Sequence, residues 1–209
     1  MRQDAAVNGR PLSLERMLLF SDAIFAIAIT ILVLPLTADI TLDGAQGVTE
    51  QLSHMQTQIL AFGIGFFVIG QFWLAHHRLG GELAITDSRL LGLNLVALCT
   101  IAFLPFPTAV LGARDTDTDH GPVVFFAASM AVASLALSVL WFYASRSGLT
   151  DPAIGPAERR VIDRRSLITV AGFVVAIGVA FIGLLPAILM WVAVVPGVRR
   201  LLSPRAAST

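Results

Sequence analysis

RMLLFSDAIFAIAITILVLPL, Arg16 to Leu36, is long and apolar enough to cross a bilayer. It nevertheless carries an arginine, a serine and an aspartate in its first turns and a lone threonine in its middle. A hydrocarbon core of about 30 Å needs roughly 20 apolar residues in one helix, so the stretch reads as a transmembrane helix. Its polar residues need their own explanation. A carboxylate within the membrane is unfavourable by roughly 2.5–3.5 kcal/mol on insertion scales, so Asp22 should face protein or water and have a partner. Arg16 lies outside the i, i+4 spacing that would pair the two on one helix. Both are therefore expected to bind groups on neighbouring helices.

The rest of the chain has the same character. Of 209 residues, 56% are hydrophobic and 13% charged, and the mean hydropathy is +0.80. That balance excludes an ordinary soluble domain and predicts an all-α, polytopic membrane protein. Apolar runs at about 16–36, 56–76, 88–112 and 122–144 are each of span length, whereas the run 166–202 is too long for one helix. "GLLP" at 183–186 divides it, because Pro186 can start a helix but not sit inside one. Short fifth and sixth helices at 166–183 and 186–202 complete a single transmembrane domain over 1–209. The first span is not expected to be a cleaved signal peptide, since its apolar stretch is full length and no small-residue cleavage site follows.

Arginine placement predicts the orientation. All fourteen basic residues are arginine. The N-terminus (Arg2, Arg10, Arg16), the loop with Arg78 and Arg89, the segment with Arg146, Arg159, Arg160, Arg164 and Arg165, and the tail with Arg199, Arg200 and Arg205 are basic. The intervening loops at 37–55 and 113–121 carry Asp39, Asp43, Glu50, Asp115, Asp117 and Asp119 against Arg114 alone. This alternation independently supports an even number of spans, with both termini in the cytoplasm. An all-arginine basic set in a chain rich in Ala, Gly and Val fits a GC-rich bacterial genome.

The second span ends in "FWLAHHRL", which puts Trp73, His76, His77 and Arg78 at the same cytoplasmic depth as Asp22; the third contains Asn94. A cluster of Ser21, Asp22, Trp73, His76 or His77, and Asn94 would satisfy these polar groups by hydrogen bonds between helices. It would either lock the helices together or take part directly in transport. Adjacent histidines point about 100° apart on a helix, and no HExxH or Cys/His spacing accompanies them, so no metal is expected. Cys99 stands alone in an apolar run, which leaves no disulfide or CxxC site. No GxSxG elbow and no phosphate-cradling glycine loop is present, so neither enzymatic chemistry nor a cofactor is expected, and no nucleic-acid partner.

On the first span, Phe20, Ile24, Ile27, Ile31 and Leu34 recur at helical spacing and form an apolar stripe. Taken alone, such a stripe reads as lipid contact. RxxxFSD at Arg16, Phe20, Ser21 and Asp22, continued as "AIFAIAITILVL", resembles the first helix of the bacterial relatives of the lysosomal potassium channel called transmembrane protein 175. The resemblance continues in "FFVIGQFWLAHHRL" (66–79) and "LLGLNLVALCTIAFLPF" (90–106), covering about half the chain. The second half agrees only in hydropathy and in the "LLP" break.

What the resemblance implies is a homotetramer of six-helix subunits, the first helix of each lining a central four-fold pore permeable to potassium. The family has no TVGYG filter, and neither has this sequence. Rings of branched aliphatic side chains constrict the pore instead. Carried over residue by residue, these fall on Ile27, the narrowest, then Ile31 and Leu34, with a hydroxyl layer at Thr30. Arg16, Ser21 and Asp22 correspond to the family's structural network. Four copies of Ile27 around an axis would make a hydrophobic constriction able to gate by dewetting. Thr30 either offers its hydroxyl beside that constriction or bonds back to the carbonyl of Ala26. Asp39 and Asp43 would ring the outer mouth and concentrate cations, or form an ordinary solvated loop. Two positions depart from the family pattern: Pro35, which is expected to kink or end the pore helix early, and Gly65, which would let two helices approach. The rival readings are a proton channel, with a relay through His76, His77 and Asp22, and a non-conducting membrane scaffold.

Overall fold

The computed structural model describes residues 14–38, 47–114 and 119–191. Asp39 and Asp43 of the expected outer mouth lie outside the described residues, as do Asp115, Asp117 and the arginines of both tails. The chain is helical: α1 (Leu14–Ile31), α2 (Leu34–Ala38), α3 (Val48–His54), α4 (Gln56–Gly81), α5 (Ser88–Phe103), α6 (Pro105–Gly112), α7 (Gly121–Arg146) and α8 (Pro156–Ala180). Residues 184–191 are helical too. Four stretches among the described residues are long and apolar enough to cross a membrane: Leu14–Ala38, Gln56–Gly81, Ser88–Gly112 and Gly121–Arg146.

Two of these stretches are each built from a pair of helices, and proline breaks both. Pro35 lacks the N–H that would bond to the Ile31 carbonyl, and its ring crowds that carbonyl. The chain tightens instead into a turn at Leu32 and Val33, where Val33 N–H donates to Thr30 O (3.4 Å) and Leu36 N–H to Val33 O (3.0 Å). The pore helix expected over 16–36 is thus interrupted near its outer end. Pro105 acts likewise, with Leu104 N–H donating to Ile101 O (3.1 Å) at the α5–α6 junction.

The structure departs from the sequence expectation in three other places. Residues 156–165, expected as loop, form the first turns of α8, where Pro156 stands in the first turn after an extended Gly155. Because those turns carry Arg159, Arg160, Arg164 and Arg165, the apolar part of α8 runs only from Ser166 to Ala180. The expected outer loop holds the short helix α3. Finally, α8 ends at Ala180, and the break before the last helical stretch falls at 181–183, where Gly183 has a φ of 146° that favours glycine. The expected sixth helix, 186–202, is described only as far as Trp191.

Lipid tails are as apolar as leucine, so helices associate in a membrane through close packing and polar contacts. Accordingly α7, the central helix, buries Ala127, Ala131, Ala133 and Ala144 together with Ser134 and Ser138, and packs on α5 and α8. On α8 the facing residues include Ala176 and Ala180. α1 lies against α4 and α5, burying Met17, Ser21, Phe25, Ala28 and Leu32 at three- and four-residue spacing. Gly65 is where α4 meets α6: a Cβ there would stand 2.7 Å from Thr108 Cγ2 and 3.1 Å from Leu32 Cδ2. On the arginine-rich side, the α4–α5 and α7–α8 connections pair through an isolated bridge, Leu83 with Thr150. Asp151 N–H also donates to Glu82 O (2.9 Å).

Candidate functional site: the first helix and its polar anchor

The polar residues of α1 sit at its N-terminal end, level with the C-terminal end of α4 and the start of α5. Three side chains form one buried chain of hydrogen bonds. Ser21 Oγ donates to Met17 O (2.8 Å), within its own helix. Asn94 Nδ2, on α5, donates to Ser21 Oγ (2.9 Å). His76 Nε2, on α4, lies 2.9 Å from Asn94 Oδ1, a pairing in which the imidazole N–H donates to the amide oxygen. Ser21, His76 and Asn94 are each at most 1% exposed, so every bond saves a polar group from an apolar surrounding. Phe25 packs against the His76 ring with centroids 5.5 Å apart.

Asp22 belongs to a separate contact. It accepts from the indole N–H of Trp73 at 2.9 Å, at the surface of the bundle. His77, one position beyond His76, is exposed and its ring packs at a tilt against Trp73 with centroids 5.4 Å apart. The single cluster expected from the sequence is therefore two contacts: a buried triad of Ser21, Asn94 and His76, and an exposed pair of Asp22 and Trp73. The choice left open between His76 and His77 falls on His76. Arg16 is exposed at the start of α1. Among the described residues, no group of three or more His, Cys, Asp or Glu side chains could hold a metal.

The apolar stripe takes the other flank of α1. Phe20 (50% exposed), Ile27 (53%) and Ile31 (41%), and Leu34 (57%) at the start of α2, face away from the subunit's own core, whereas Ile24 of the expected stripe is half-buried against it. Thr30 is exposed between Ile27 and Ile31, and its hydroxyl donates to Ile27 O at 2.9 Å. The back-bond therefore runs to Ile27 rather than to Ala26.

Two polar ties nearby escaped the sequence reading. Trp141 Nε1 on α7 donates to Asp163 Oδ1 on α8 (2.7 Å), a second indole–carboxylate pair. Tyr143 donates to Asp87 Oδ2 (2.6 Å), while Asp87 Oδ1 caps α5 by accepting from Leu90 N–H (2.7 Å). The Tyr143 hydroxyl and the Leu90 N–H hold the Asp87 carboxyl below its ordinary value. The available signal was weak: an aspartate one position before a helix, and an indole N–H in an apolar helix that needs an acceptor.

Residues 16–105 match the family model described as endosomal/lysosomal potassium channel TMEM175. A potassium channel of Streptomyces collinus is 32% identical over 166 residues, which cover 78% of this chain and 80% of that protein. The chain belongs to the TMEM175 family. With its span-length helices, it is a multi-pass membrane protein of an ion-channel family. A second relative is the human endosomal/lysosomal proton channel TMEM175, 29% identical over 154 residues; this chain spans 30% of that protein's length. In fold, the chain is similar to the crystal structure of a lysosomal potassium-selective channel TMEM175 homolog from Chamaesiphon minutus. The TM-score is 0.77 at 24% identity, covering 91% of this chain and 98% of that one.

Proposed function

We propose that this TMEM175-family chain forms a homotetrameric, potassium-permeable cation channel in a bacterial inner membrane, with six helices per subunit and both termini in the cytoplasm. The observation that carries the reading is the pattern of exposure on α1. One face is buried in the subunit and pinned by the Ser21–Asn94–His76 triad, while Ile27 and Ile31, and Leu34 at the start of α2, are exposed. In a four-fold assembly these residues give stacked aliphatic rings, with Ile27 the narrowest and the Thr30 hydroxyls beside it. Such rings stop ions by dewetting rather than by chelation. Asp39 and Asp43, which follow α2 in the sequence, then ring the outer mouth. Arg16, Ser21, Asp22, Trp73, His76, His77 and Asn94 serve as a structural network, and the reading needs no cofactor or catalytic step. The bacterial relative's description as a potassium channel supports potassium as the permeant ion.

Proton conduction is the second reading, favoured by the human relative's description as a proton channel. Flux into liposomes holding the purified protein separates the possibilities. Potassium, sodium and proton gradients are imposed in turn on wild type and Ile27→Ala. The expected result is potassium flux that rises in Ile27→Ala and falls with a larger residue at position 27. Flux of protons alone supports the second reading. Absence of any flux from folded, oligomeric protein leaves a membrane scaffold.

A further inference from the structure

A cavity of about 220 Å³ opens between α4 and α8, with α7 as its floor, well away from the exposed stripe of α1. Phe72 and Phe173 stack across it with centroids 5.8 Å apart. Its two ends differ in chemistry. At the arginine-rich end the charged lining residues are Arg78, Arg165 and Glu82; toward the middle of the bundle Phe67, Phe173 and Trp191 take over. From Phe67 to Glu82 the wall rises about 22 Å along α4, at about 1.5 Å per residue. That is the length of a head group and a good part of an acyl chain.

We propose that this cavity binds an anionic membrane amphiphile, with a phosphate head group held by Arg78 and Arg165 and an acyl chain lying against Phe67 and Phe173. The charged lining residues at the rim favour an anion, two guanidinium groups, Arg78 and Arg165, against one carboxylate, Glu82. Basic pockets between helices on the cytoplasmic side of a membrane suit anionic head groups. The inner wall is also unfinished. Trp191, 2% exposed, packs on Phe126 and lines the cavity, and its indole N–H has no acceptor among the described residues.

The tryptophans make the proposal testable. Two of the three, Trp141 and Trp191, line the cavity, and Trp73 does not. Full-length Trp73→Phe protein is reconstituted in phosphatidylcholine vesicles containing a minor fraction of phosphatidylglycerol whose acyl chains are brominated. Quenching is compared with that by the same fraction of brominated phosphatidylcholine. The anionic lipid should quench the more strongly. The apparent affinity behind that excess should fall about fivefold in Arg165→Gln and again in Arg78→Gln, the effect of one arginine near an anionic surface. Arg78 is exposed, so its variant tests the idea even if Arg165→Gln does not fold. Equal quenching by the two lipids, or an excess that survives both substitutions, overturns the proposal. Relief of the quenching by inorganic phosphate supports capture by the head group. If inorganic phosphate protects the protein from thermal unfolding while the anionic lipid gives no excess quenching, the site holds a free anion and the amphiphile reading fails.

Discussion

Ser21→Ala and Asn94→Ala, singly and together, test whether the buried triad anchors the first helix. Asn94→Ala removes both interhelical bonds, to Ser21 Oγ and to His76 Nε2, each at 2.9 Å. Side-chain hydrogen bonds between membrane helices average about 0.6 kcal/mol and reach about 1.7. The lost partner also strands the His76 N–H in an apolar surrounding, at roughly 1–3 kcal/mol. The two effects together put Asn94→Ala at about 2–4 kcal/mol. Ser21→Ala removes one interhelical bond and a back-bond within α1, so about 1 kcal/mol is expected, with a coupling between the sites of about 0.6–1.7 kcal/mol. The assay is reversible unfolding in mixed micelles across the four proteins, alongside potassium flux per folded oligomer. A helix lock lowers stability and leaves flux per folded oligomer unchanged. If the two substitutions are additive, or if flux disappears while stability holds, the triad is not a lock and takes part in transport.

Three further outcomes follow from local geometry. Gly65→Ala should destabilise by about 1–3 kcal/mol, because the new Cβ meets Thr108 at 2.7 Å, whereas Gly63→Ala, with nothing within 4 Å, should be neutral; equal thermal shifts would refute the contact. Pro35→Ala returns an N–H to face the Ile31 carbonyl, and hydrogen exchange should show the turn at 32–33 becoming protected helix. If it stays unprotected, proline is not the cause of the break. Glu82 titrates above its ordinary value, chiefly through burial, then through Glu158 and Asp151. Folding therefore favours its protonated form; that stabilisation is complete below the ordinary glutamate range and lost as pH rises through the raised value. Glu82→Gln should accordingly be the more stable protein at neutral pH, and its advantage in melting temperature should vanish on acidification. A pH-independent difference would refute the linkage.

What could be read from the sequence was what obeys a local rule. Span-length apolar runs mark the four apolar stretches, and Pro35 marks the end of α1, because length and a missing N–H act within a few residues. The polar anchor was legible as a list of residues, since a buried Ser, Asn or His in an apolar helix must find a partner. Its division was not. Which of His76 and His77 turns inward depends on how α4 is rotated against α1 and α5, where Phe25 packs on the His76 ring and Leu32 lies against Gly65. α8 was misjudged for a similar reason. Its four arginines read as loop because charge rarely enters a span, yet a helix end outside the apolar zone carries them readily, and Arg159 is tied to Ser145 O (3.0 Å) and Thr150 Oγ1 (3.1 Å). The cavity's chemistry was invisible as well, since it joins Arg78 to Arg165 across two helices.

These features divide the first helix along its length as well as around it. Toward its N-terminus, α1 is tied to α5 by Asn94, and through Asn94 to α4, with Trp73 holding Asp22 beside them. Toward its C-terminus the contacts are of another kind: Ala28 and Leu32 are buried by packing alone, and Pro35 uncouples α2 from the hydrogen-bond ladder of α1. Directional bonds resist rotation of a helix about its axis, whereas apolar packing of small side chains tolerates a slide more readily. In the proposed pore, Ile27 lies between the two regimes, so a rigid cytoplasmic half and a more compliant outer half meet at the constriction. Motion that opened Ile27 would then be expected to pivot near Ser21 and Asp22. Loosening that pivot should alter how often the pore opens before it alters which ion passes.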